Sequence, residues 1–198
     1  VGKIKDLFTM FNKKILSRYL NENISNVKLI YNVSVLEREH VAKSFSHIAG
    51  IDSEDIILTF SELEISEWLS EEEEIISSIN NLKEHGYKVA LKIDKKELLL
   101  TNELMKVFDY FILDSELIKD CRKSGRSILI IHTLIDTLKS YDKNIIAYGL
   151  DTNNSMYLIC KMGIKYVSSN LISQADEMIL PIEKKKLSKV MTLVNGKK

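Results

Sequence analysis

Apolar residues along the chain follow two alternating rhythms. Around residues 5–20, Ile4, Leu7, Phe8, Phe11, Ile15 and Leu20 recur at helical intervals, a polar stretch follows at 21–26, and 27–35 is an apolar, β-branched run that predicts a strand. The same order then repeats. A helix is predicted over 37–49 up to Gly50, a strand over 55–63, and a helix over 71–84 that His85-Gly86 stops. Further strands are predicted over 88–93, 110–113, 144–148 and 166–169, with helices over 98–107, 128–139 and 154–162 between them, and a basic, weakly periodic tail over 183–198. Because the strands are continuous apolar runs rather than alternating ones, they read as buried on both faces. That is the signature of a parallel sheet with helical crossovers, so the predicted fold class is α/β.

Composition narrows this further. At 198 residues and 45% hydrophobic content the chain can bury one sizeable core. With one proline, Pro181, and seven glycines it has no flexible linker, so residues 1–198 read as one domain. Twenty-eight basic residues balance twenty-eight acidic ones, and no global field favours nucleic acid or an anionic membrane. Cys121 and Cys160 lack zinc-like spacing and read as thiols in a reducing compartment. No apolar run approaches the ~20 residues of a membrane span, and the N-terminus lacks a signal-peptide core, so a cytoplasmic location is expected. A first residue of Val1 rather than Met suggests a piece of something longer, or a processed chain.

Polar residues sit where the strands end. Asn32-Val33-Ser34 and Leu63-Glu64-Ile65-Ser66-Glu67 close the first two strands, and the Lys88-Val89-Ala90-Leu91 run after Gly86 leads to Lys92-Ile93. Ile112-Leu113-Asp114 ends the fourth, Ala147-Tyr148-Gly149-Leu150-Asp151-Thr152 the fifth, and Gly163 through Leu171-Ile172-Ser173 spans the sixth. In order and spacing these motifs resemble the EAL domain, a bacterial barrel family that hydrolyses cyclic di-GMP with divalent metals. The resemblance runs from about Asn12 to Ile179 and implies a TIM-barrel-like fold. With about six strands where a closed barrel has eight, the barrel is expected to be incomplete or modified.

The resemblance also marks departures. Asn32 and Glu64 match metal-ligand positions, and Glu67 matches a glutamate that braces a neighbouring loop. Lys92 and Ile93 stand where the family has two aspartates, Ile112 where it has a catalytic lysine, Tyr148 and Asp151 where it has two glutamates, and Ser168 where it has a glutamine. Lys92 decides the expectation. A fixed ammonium at ~4 Å from a divalent cation costs several kcal/mol in a partly desolvated site, so no metal and no cofactor are expected. The pocket residues are then Asn32, Glu64, Lys92, Asp114 and Asp151, with a Glu64–Lys92 salt bridge as one way of rebuilding the site.

Plainer roles compete at each position. Asn32 suits a turn or cap, Asp114 suits the cap of a helix starting at Ser115-Glu116, and Ser70 suits the cap of the acidic helix start at 71–74. Trp68 reads as packing or as a stacking platform, and residues 123–127 as a polar loop. His40, His47, His85 and His132 have no visible partner in the sequence. The functional expectation is a catalytically inactive EAL-like domain serving as a regulatory, protein-interaction module. It would work with a protein partner, other domains of a parent protein or a second copy. The alternatives are a cyclic di-GMP receptor that binds through Trp68, Lys92 and Arg126, and an enzyme with a rebuilt mouth.

Overall fold

The computed structural model describes residues 10, 14, 17, 28–33, 52–62, 65, 72–94, 101–121, 125–174 and 182–194. Met10, Lys14 and Ser17 are helical, in keeping with the helix predicted around 5–20. The predicted helix over 37–49 and the polar residues Ser34, Glu64, Glu67, Trp68 and Ser70 lie outside the described residues. Six strands in one sheet follow each other in chain order, β1 to β6, with helices between them. The chain forms two compact units, Val1–Ala90 and Leu91–Lys198.

In the first unit, β1 (Leu29–Asn32) lies parallel to β2 (Ile56–Ser61), pairing Leu29 with Ile56 and Asn32 with Thr59. A 3-10 turn at Ser53–Asp55 leads into β2, and the Asp52 side chain accepts from the Glu54 N–H to cap it. In β2, Ile56, Ile57, Leu58, Thr59 and Phe60 are all buried, which is the two-sided burial that a continuous apolar run predicts. Helix α1 (Glu72–Glu84) opens with three glutamates, charges that favour a helix N-terminus, and buries Ile75, Ile79 and Leu82 along one stripe. Gly86 ends it at φ +91°, its N–H bonded to Lys83 O at 2.9 Å while Tyr87 N–H reaches Leu82 O at 3.3 Å. Strand β3 (Lys88–Ile93) follows and runs into the second unit.

The second unit continues with α2 (Asn102–Val107), β4 (Tyr110–Leu113), α3 (Ser115–Cys121), α4 (Gly125–Ser140), β5 (Asn144–Tyr148), α5 (Asn153–Lys161), β6 (Tyr166–Ser168) and α6 (Lys184–Val194). β4 and β5 run parallel with Leu113 opposite Ala147, and β5 and β6 run parallel with Tyr148 opposite Ser168. α4 packs on α3 and β5 and buries Ile131, Ile135 and Leu138, and α6 packs on α5. Phe108 and Phe111 meet edge to face at 6.0 Å in the core.

Several boundaries differ from the sequence reading. α2 begins only at Asn102 because Thr101 caps it, its hydroxyl accepting from Leu104 N–H at 3.2 Å. α4 begins at Gly125 rather than 128, so Gly125, Arg126 and Ser127 belong to a helix and not to the expected polar loop. The basic tail contains a regular eleven-residue helix, α6, whose Val190 is buried.

Candidate functional site at the strand ends

The second unit brings the C-terminal ends of β3 to β6 to one level. Asp114 N–H bonds to Ile93 O at 2.9 Å, Asp114 follows the Leu113–Ala147 pair, and Tyr148 faces Ser168 in the ladder. Side chains alternate along a strand, so Ile93 enters the core, fully buried, while Lys92 turns to the other face and stays partly open. Its ammonium stands 2.8 Å from Asp114 Oδ2 and 5.8 Å from the centroid of the Tyr148 ring. Tyr148 is half exposed and shields one flank of the ammonium by a cation–π contact.

Asp114 serves two structures at once. Its Oδ1 accepts from Glu116 N–H at 3.0 Å and from the Ser115 hydroxyl at 3.3 Å, which caps α3, while Oδ2 holds Lys92. Burial pushes its carboxyl up, but the Glu116 amide, Lys92 and Ser115 together outweigh this and hold it below the usual carboxylate range. Its expected capping role is therefore present, with an ion pair added.

Asp151 lies exposed after the β5 turn, and Asn170 donates to its Oδ1 at 3.4 Å. Lys119 of α3 is raised, first by its bond to Glu116 and more weakly by the charges of Asp151 and Asp114. The turn itself is tightly fixed. Gly149 adopts φ +73°, its N–H bonds to Ser168 O at 2.9 Å, and the Ser169 hydroxyl donates to Leu150 O while accepting from Leu171 N–H at 3.0 Å.

The remaining candidates fall elsewhere. Asn32 ends β1 in the first unit, exposed and opposite Thr59. Glu64 lies outside the described residues; among the described residues the carboxylate on Lys92 is Asp114. Ile112 is buried and Ser168 exposed, and Arg126 sits exposed in the first turn of α4. Two histidines expected to be alone have partners: His132 Nδ1 meets Asp136 Oδ2 at 2.8 Å, one helical turn away, and His85 Nδ1 meets Asn81 O at 2.7 Å. Sequence reasoning put Lys92, Asp114 and Tyr148 at one mouth but missed the direct contact among them. The signal for it was that all three residues close adjacent strands.

These residues do not fit a pair of divalent cations. Among the described residues no three of His, Cys, Asp and Glu converge as ligands, and the carboxylate best placed for one, Asp114, has an ammonium on one oxygen and helix-capping donors on the other.

The chain resembles known proteins in both sequence and fold. No curated protein matches it. Among solved structures, the EAL domain of Mycobacterium smegmatis DcpA superposes with a TM-score of 0.71 at 17% identity, over 98% of this chain and 85% of that one. The Bacillus subtilis YkuI protein, with an EAL domain and in complex with c-di-GMP and calcium, gives 0.75 at 14%, over 93% and 45%. The Xanthomonas citri FimX EAL domain, in complex with c-diGMP, gives 0.67 at 14%, over 92% and 76%. These likenesses establish the α/β, TIM-barrel-like architecture, with six strands among the described residues where a closed barrel has eight. The family profile of the EAL domain matches residues 4–175, and the chain therefore belongs to the EAL domain family.

Proposed function

We propose that this chain is a catalytically inactive EAL domain that acts as a regulatory module in cyclic di-GMP signalling, through contacts with a protein partner or with other domains of a parent protein. The observation that carries this reading is the 2.8 Å ion pair between Lys92 and Asp114 at the strand ends. Phosphodiester hydrolysis by hard cations needs several free oxygen ligands and a positive group near the phosphate. Here an ammonium occupies the carboxylate's coordination side, and the position that resembles the family's catalytic lysine is Ile112, buried and unable to stabilise charge. Asn32, Glu64, Lys92, Asp114 and Asp151 are then inherited positions rather than members of a working site.

The test is hydrolysis of cyclic di-GMP by the full chain with magnesium or manganese. No linear dinucleotide above the no-enzyme control is expected, and metal-dependent turnover overturns the reading. A second reading, a receptor that binds the dinucleotide without cleaving it, is favoured by the FimX likeness, since that EAL domain is seen in complex with c-diGMP. Titration calorimetry separates the two: heat saturating at one ligand per chain, without turnover, selects the receptor.

A further inference from the structure

Charge on this chain balances overall but not locally. In α6, Lys184, Lys185, Lys186 and Lys189 crowd into the first six residues, and the acidic group beside them, Glu183, takes Lys186 as its ion-pair partner at 3.1 Å. The helix is also apolar where it is open. Val190 is buried where α6 packs on α5, yet Leu187 and Met191, one turn apart on one strip, are 46% and 52% exposed, and Ile182 just before the helix is 46% exposed. Lys184 lies on the same side as Leu187 and Met191, whereas Lys185 and Lys189 lie exposed on the far, polar face of the helix.

From this juxtaposition we infer that α6 is a docking surface for an anionic lipid bilayer, on which Ile182, Leu187 and Met191 enter the headgroup boundary while the lysines meet the lipid phosphates. The composition favours a bilayer over other anionic partners. Protein interfaces deplete lysine and anchor on Trp, Tyr and Arg, and single-stranded nucleic acids are held by aromatic stacking. α6 offers neither an aromatic residue nor an arginine. Long lysine stems beside flexible, unbranched or singly branched apolar side chains suit a surface without fixed shape. Each lysine near an anionic surface raises partitioning about fivefold, and the effect fades with salt.

The full chain is mixed with phosphatidylcholine vesicles, or with vesicles that also contain phosphatidylglycerol, and sedimented. Pelleting with the anionic vesicles alone, reversed by high salt, is expected. The charge reversal K185E/K189E should lower partitioning at least tenfold, as should L187S/M191S, with circular dichroism melting used to confirm that each variant folds. Equal pelleting with neutral vesicles, or none with either, overturns the inference. So does salt-sensitive capture by poly-glutamate or RNA without vesicle binding, which would make α6 a protein or nucleic-acid contact. Both variants carry exposed substitutions, and if either fails to fold the other decides.

Discussion

Gly149 and Ser115 approach so closely that a Cβ on Gly149 would lie 2.6 Å from the Ser115 Cβ. The same glycine holds φ +73°, a left-handed conformation that side chains disfavour. The turn after β5 therefore needs glycine twice over, for backbone and for space. Gly149→Ala should destabilise the fold by about 2–4 kcal/mol, the sum of a strained φ and a clash that Ser115 can relieve only by moving the start of α3. Urea denaturation of the two proteins measures it, and a difference under about 0.5 kcal/mol would contradict the close packing.

Asp114 should be more costly to lose than an ordinary helix cap. Asp114→Ala removes the acceptor for Glu116 N–H and also leaves the Lys92 ammonium without its counter-charge. A cap alone contributes about 1 kcal/mol, so a loss of roughly 1.5–3 kcal/mol is expected. Asp114→Asn, which can still cap, should recover part of it; equal losses would mean that the ion pair contributes most of the effect.

Acid should weaken the fold through the same residue. Because the Asp114 carboxyl is held below its unfolded value, its stabilisation is complete above the ordinary carboxylate range and is lost as pH falls through the lower folded value. In Lys92→Met one of the groups that lowers it is gone, so the folded carboxyl rises toward the ordinary range. Its contribution then shrinks and disappears at a higher pH. Carbon-detected NMR titration of Asp114 in both proteins reads the shift directly, and coincident titrations would remove Lys92 as a partner.

Thr152 tests the helix that follows the turn. Its hydroxyl accepts from Ser155 N–H at 3.2 Å to cap α5. Thr152→Ala should cost about 1 kcal/mol and Thr152→Ser nearly nothing. Thermal melts decide, and equal melting of all three proteins would show the cap to be idle.

Much of the architecture could be read from periodicity because it depends on local pattern. All four strands of the second unit, and β2 with α1 in the first, lie within a few residues of where apolar runs and Gly86 placed them. Boundaries moved where one side chain decides them: Thr101 delays α2 by capping at that point, and the sequence from Gly125 to Ser127 looked like a loop until Ser127 proved buried on α4. The site was half legible. That Lys92 would need a carboxylate followed from its charge. That Asp114 supplies one depends on the register of β3 with β4, which sequence alone does not specify. His132 shows the same limit in reverse, since Asp136 stood four residues away at helical spacing and went unnoticed as its partner.

Lys92 and Asp114 have a consequence for how this domain can change over time. Each neutralises the other, so replacing Lys92 with an acid sets two negative groups side by side, and replacing Asp114 with a neutral residue strands a cation and, unless that residue can cap, frees the start of α3. Every first substitution toward a cation-binding mouth is thus penalised before a second can reward it. Mutational drift meets a ratchet at this point, and sequences descended from this one should keep the pair or exchange both members together.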